Sequence, residues 1–213
     1  MNLRFIFIAF PVLILFNIES ASQKHPQLQY VSLDAGLNIA GIRSAIHYDK
    51  HEKNFGTNIS LSGNYSLSDN ISVLASVSFS QKGAVDPVYP INTNLNYLTV
   101  PVSLKWVTGK DPKLFFFAGG YSALLIGANR RGEKYVDGQV VRVSEGVSSD
   151  LRTFDYGVVF GTGMMVRLYD DFDFIINLNG SAGLARIENH FESKPKNYHF
   201  NISLGYVYYI GFR

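Results

Sequence analysis

The strongest constraint on this chain is a period of two. In "NYLTVPVSLKW", residues 96 to 106, Leu98, Val100, Val102, Leu104 and Trp106 alternate with Thr99, Pro101, Ser103 and Lys105. One face is apolar and the other polar, as in a half-buried β-strand. The pattern recurs along the chain. In residues 30–42, Leu33, Ala35, Leu37 and Ile39 oppose Ser32, Asp34, Gly36 and Asn38. Runs at 57–67, 71–81, 154–168, 172–179 and 198–212 alternate in the same way. The stretch "LFFFAGGYSALLIGA", 114–128, is apolar on both faces, so its lipid side is not assigned. Eight such runs of about ten residues match what tilted strands need to cross a bilayer.

The composition of the two faces decides between water and lipid. A soluble up-and-down barrel turns its polar face outward, and that face needs many Lys and Glu side chains. Here only 17% of residues are charged, against roughly 25% in soluble domains. The polar faces are mainly Ser, Asn and Gly, which suit the narrow interior of an eight-stranded barrel. The apolar faces carry Tyr65, Phe79, Trp106, Phe172, Phe200, Tyr206 and Tyr208 toward strand ends, where interfacial aromatic girdles sit.

Connections alternate in length. "SDN", "TGKDPK" and "YDD" are short, whereas 43–56, 82–95, 128–153 and 187–197 are long and polar. An up-and-down transmembrane barrel with short periplasmic turns and long extracellular loops has this form. Pro101 has no N–H to donate in the middle of its strand, and a closed barrel offers no edge to hide it. A local bulge, or a lost hydrogen bond on the lumen side, is expected there.

The first 22 residues read as an export signal: Arg4, an apolar core at residues 5–16, then Ser20, Ala21 and Ser22 for cleavage. The barrel domain is assigned to residues 23–213. With no cysteine in the chain, a disulfide scaffold, a thiolate metal site and a lipoprotein anchor are excluded. A net charge of +2 gives no reason to expect a nucleic-acid partner.

Two further elements point to a family. "SFSQKGA", with Gln81, Lys82 and Gly83, is followed by "NYLTVP", with Tyr97, Leu98 and Pro101, and then by the aromatic, glycine-paired fifth run. Together with "FDYGVVFGTGMMV" these resemble the PorT-like outer-membrane β-barrel family of Bacteroidetes. The resemblance implies an eight-stranded barrel in the outer membrane of a Gram-negative bacterium. It makes Pro101 a family feature, and it points toward type IX protein secretion, the role of the founding member.

Chemistry is sparse. Asp34, Lys105, Asp155 and Arg167 project into the expected lumen, where opposite charges would pair; a proton path or ligand site is the alternative use. His47, Asp49, His51 and Glu52 have spacing that would suit a divalent metal only on a helix, and a solvated loop is expected instead. Ser44, His47 and Asp49 are weak grounds for an enzyme. Asn58, Asn64, Asn70 and Asn201 each precede a serine by two, a by-product of alternation on a polar face. No catalytic, cofactor or metal site is assigned. The loop at 129–152 carries both charge signs and would extend as a hairpin turning at "VDG". The expected protein is a non-enzymatic outer-membrane barrel with a filled lumen. Its partners would be membrane lipid and envelope or secretion proteins. A small-solute or lipid-transporting barrel is the alternative, and a barrel enzyme a more distant one.

Overall fold

The computed structural model describes residues 27–43, 52–85, 91–136, 139–147, 151–169, 171–185 and 196–210. The export-signal reading and residues Ser44, His47, Asp49 and His51 lie outside them. The described residues form nine strands: β1 (Leu28–Arg43), β2 (Glu52–Ser66), β3 (Ile71–Val85), β4 (Ile91–Thr108), β5 (Lys113–Val136), β6 (Gln139–Gly146), β7 (Phe154–Arg167), β8 (Phe172–Gly183) and β9 (Lys196–Tyr209). All pairings are antiparallel. The order β4-β3-β2-β1-β9-β8-β7-β5 is closed by a β4–β5 ladder, giving an eight-stranded barrel. The remaining strand, β6, pairs with the upper part of β5 as a hairpin, from Val136 opposite Gln139 down to Asn129 opposite Gly146. Thus the loop expected at 129–152 is largely a hairpin.

Alternation sorts side chains as the sequence implies, with apolar residues outside and small polar ones inside. Leu61, Leu104, Phe160, Phe200 and Tyr206 are exposed on the outer wall, while Ser32, Asn38, Asn64, Ser103 and Asn201 are buried. Aromatic pairs mark both margins of the apolar band: Trp106 stacks on Phe116, Phe172 packs beside Tyr208, and Phe154 lies beside Tyr156.

Two expectations need correction. The eight barrel strands are longer than ten residues, and at the long-loop end they continue as paired ladder beyond the apolar band. The connections expected at 43–56 and 82–95 therefore shrink to 44–51 and 86–90. Backbone groups rising past the membrane stay hydrogen-bonded to neighbouring strands, so polar sequence there does not mean loop.

At Pro101 the ladder changes without a bulge. The β4–β5 ladder runs through Pro101, which faces Tyr121. The β3–β4 ladder steps from Ala75↔Val102 to Ser78↔Thr99 with its register unchanged and no pairing between. The missing donor is absorbed on the β3 side, and the pyrrolidine ring lines the interior. The bulge in this region lies instead between Asn96/Tyr97 of β4 and their partners in β5, where the register passes from Gly127 to Leu125. Ile126 is the inserted residue, and its side chain is exposed.

Candidate functional site

The interior is the chemically richest part of the molecule, and it is built in three layers. At the short-turn end, Tyr30, Phe115, Met165, Ile175 and Val207 form a buried apolar cluster. Lys105 lies within it. Its Nζ donates to Tyr30 Oη, sits 3.9 Å from Met165 Sδ and lies 3.9 Å from the centroid of the Phe115 ring. Tyr209 Oη donates to Asp173 Oδ2 at 2.7 Å and accepts from Lys113 Nζ at 3.3 Å.

The middle layer is a polar chamber of about 100 Å³, lined by Ser60, Ser76, Thr99, Pro101, Asn179, Ser203 and their neighbours. Its hydrogen bonds are mostly between short side chains. Ser76 donates to Ser62 at 2.8 Å, Asn179 to Asn201 at 3.1 Å, and Asn201 to Asn38 at 2.9 Å. Asp34 opens onto it, accepting from Asn177 at 2.8 Å and Ser32 at 3.2 Å. Gly205 is the register partner of Asp34, and a Cβ there would stand 2.7 Å from Asp34 Oδ1.

At the long-loop end, Lys82 Nζ lies 3.6 Å from Asp155 Oδ2, with both side chains shielded from solvent. The ammonium also faces the rings of Tyr97 and Tyr121, at 5.0 and 4.7 Å, within the range of a cation–π contact. Tyr121 Oη and Asn197 Nδ2 each donate to Asp155 Oδ2 at 3.2 Å. Ser181 Oγ and His199 Nδ1 share a hydrogen bond of 2.7 Å nearby. Above this layer Leu95, Ala128, Val147 and Leu151 complete an apolar lid. Val147 is held by its N–H to the Ala128 carbonyl at 3.1 Å.

Aromatic rings fill this interior because glycines face them. Phe115, Phe117 and Tyr121 of β5 are register partners of Gly163, Gly161 and Gly157 of β7. A Cβ on those glycines would meet the ring carbons at 2.4, 2.4 and 2.8 Å. Strand five is apolar on both faces for this reason: its inner aromatics lie over the backbone of β7, and Leu114, Phe116 and Ile126 are exposed outside.

Of the four charges assigned to the lumen, Asp34, Lys105 and Asp155 are buried. Arg167 has the inward parity of β7 but is exposed at its end, where its N–H meets Asp111 Oδ1 at 3.5 Å. The partner of Asp155 is Lys82, which the sequence alone puts in a family motif and just beyond a strand. Because β3 continues to Val85, Lys82 keeps the inward parity of Ser78 and Ser80. That unbroken parity is the signal by which it could be found. Of the other motif residues, Tyr97 is buried beside Lys82, Leu98 is exposed on the outer wall and Gln81 is half-buried. Gly83 has φ +151°, and a Cβ on it would stand 2.0 Å from the Thr93 carbonyl, so only glycine lets β3 and β4 close there.

The family model "Outer membrane protein beta-barrel domain" matches residues 21–189. The fold is similar to that of OprG, an outer membrane protein of Pseudomonas aeruginosa, at 11% identity and a TM-score of 0.53, over 89% of this chain and 99% of that one. It is similar also to Neisserial surface protein A, at 12% identity and 0.52, over 88% of this chain and 100% of that one. A major outer membrane protein of Thermus thermophilus gives 10% and 0.52, over 86% and 100%. At these identities the likeness is one of fold. Comparison with curated protein sequences gives no match.

Proposed function

Because the chain belongs to the outer membrane protein beta-barrel domain family and resides in the bacterial outer membrane, we propose that it is a non-enzymatic, poreless barrel that acts on a partner through its long-loop end. The observation that supports this reading is the double occlusion of the interior. Lys82, Asp155, Tyr97 and Tyr121 fill one end, and Lys105 in its apolar cluster fills the other. A continuous aqueous path would have to cross both layers.

In this reading the short turns face the periplasm and the β5–β6 hairpin stands outside the cell. Among the described residues β6 ends the strand order and pairs with β5 alone. Its other edge carries N–H and C=O groups at strand spacing, a surface that an extended segment of a partner protein can complete. Arg131, Arg142 and Glu145 are exposed on the hairpin, and Arg142 meets Glu133 at 3.4 Å. Participation in type IX protein secretion is the specific form of this proposal that the resemblance of "SFSQKGA" and "NYLTVP" favours.

Two measurements test it. In planar bilayers the protein gives no steady conductance, and a stable open channel would overturn the poreless reading. Extraction of native outer membranes in mild detergent recovers the protein with a stoichiometric envelope or secretion partner. Recovery of the barrel alone, in repeated mild extractions with chemical cross-linking, would remove the secretion assignment.

A further inference from the structure

Five buried side-chain atoms have no hydrogen-bond partner among the described residues, and three of them belong to one group: Lys82 Nζ, Asp155 Oδ1 and Asn197 Oδ1. The three residues are only 1%, 4% and 2% exposed. The Lys82 ammonium carries three N–H donors, and Asp155 Oδ2, at 3.6 Å, stands beyond hydrogen-bonding reach. That oxygen already accepts from Tyr121 Oη and Asn197 Nδ2. Leaving buried donors and acceptors unmet is costly, most of all for a charged group. One cationic donor beside two acceptors is the complement of a water molecule. Its oxygen accepts from the ammonium, and its two O–H bonds donate to the carboxylate and the amide.

This layer borders the polar chamber. Tyr121, which donates to Asp155, also lines the chamber, as do Ser181 and His199. Thr99 Oγ1, the fourth unmet atom, belongs to a residue of the same wall. The chamber's volume of about 100 Å³ admits about three waters at ~30 Å³ each. Polar cavities of this size fill with water, whereas apolar ones stay dry. The short-turn cluster of Tyr30, Phe115, Met165, Ile175 and Val207 is the contrast: among the described residues, none of the unmet atoms belongs to it.

We propose that the barrel binds water as an internal ligand. One molecule bridges Lys82, Asp155 and Asn197, a small cluster occupies the chamber past Tyr121, and the short-turn cluster below is dry. Water in that seat solvates the ammonium from within, while Leu95, Ala128, Val147 and Leu151 shut out the solvent above. The Lys82–Asp155 layer is then closed to solutes and still hydrated. This inference rests on the poreless interior of the preceding reading and makes no use of a partner.

X-ray radiolysis tests it, because hydroxyl radicals formed from bound water oxidise the side chains beside it, and mass spectrometry reads the sites. The full chain folded in detergent micelles is irradiated, and each rate is divided by that of the same residue in the urea-unfolded chain. On this scale Tyr97, Tyr121 and His199, although buried, are oxidised several-fold faster than Phe115. The double variant Lys82→Met/Asp155→Leu removes the seat. With its heat-modifiable mobility unchanged, Tyr97 falls to the level of Phe115, while Tyr121 and His199 are still oxidised from the chamber. Asn197→Leu, which removes one acceptor, lowers Tyr97 oxidation in the same direction and serves if the double variant does not fold. Tyr97, Tyr121 and His199 as protected as Phe115 overturn the proposal and leave the poreless reading standing. Phe115 oxidised as fast as Tyr121 means an aqueous path through the short-turn cluster and overturns both. Unchanged Tyr97 oxidation in either folded variant overturns the seat assigned to the bridging water.

Discussion

Lys82 and Asp155 carry opposite charges into the barrel and meet 3.6 Å apart behind a lid of apolar side chains. A buried pair of this kind contributes little net stability, but removing one partner strands the other. Asp155→Asn leaves the Lys82 ammonium facing two tyrosine rings without a counter-charge, and is expected to cost about 3–5 kcal/mol. The double variant Lys82→Met/Asp155→Leu replaces both charges with apolar side chains and is expected to be near neutral. Denaturant unfolding in detergent micelles measures both; an Asp155→Asn variant as stable as the unaltered protein would show that the pair is not what holds this layer. Residue chemistry is only half legible in the sequence. Asp34, Lys105 and Asp155 can be placed by parity. Lys82 reads as part of a connection because the regular alternation gives way after it to Gly83 and Pro87, and Arg167 reads as interior although its strand ends at the rim. Parity tells which face a side chain takes, but depth depends on where the strand meets the end of the barrel.

Among the elements, β5 and β7 show why one strand cannot be assigned a face from its own residues. The inner surface of β5 is aromatic because the inner surface of β7 is glycine. The rings of Phe115 and Phe117 come to 2.4 Å from where Cβ atoms of Gly163 and Gly161 would stand. The information about one strand is written in another, about 45 residues away in the chain. Gly163→Leu would push against both the Phe115 ring and the Ile176 carbonyl, the latter 2.2 Å from the added Cβ, and is expected to destabilise by about 1–3 kcal/mol or more. Ser203→Ala, a volume-sparing change two strands away on β9, is the control in the same unfolding assay. Loss of stability in Gly163→Leu no greater than in that control would count against the ring–glycine match. The alternating strands and the number that close the barrel are accessible from the period of two. The extent of each strand above the apolar band is not, because pairing there is secured by backbone hydrogen bonds and leaves no hydrophobic trace.

At the scale of the whole molecule, the hairpin rises from the barrel and shares with it the last three rungs of the β4–β5 ladder, at Arg130, Arg131 and Gly132. Closure is complete in β1–β5 and β7–β9, and β6 adds no strand to the ring. Replacing residues 130–145 by a short glycine–serine link should leave a barrel that still shows heat-modifiable mobility on gels, since exposed extensions are the places where chains tolerate excision. The same variant should lose the partner recovered from native membranes. A deletion that keeps the partner would move recognition to another part of the rim, and one that abolishes folding would make the hairpin part of the barrel itself.

The unequal height of that rim has one more consequence. β5 rises to Val136, whereas its neighbour β7 begins at Phe154 and β8, the next strand along, ends at Gly183. A cylinder with one tall side has a heading: it is not equivalent under rotation about the membrane normal. Two copies related by a two-fold axis along that normal would bring their β6 edges together running in the same direction, the less favourable strand geometry. Recognition at this surface is therefore a matter of compass bearing within the plane of the membrane as much as of contact chemistry, and crowding by neighbouring proteins would regulate it by turning the molecule rather than by altering its shape.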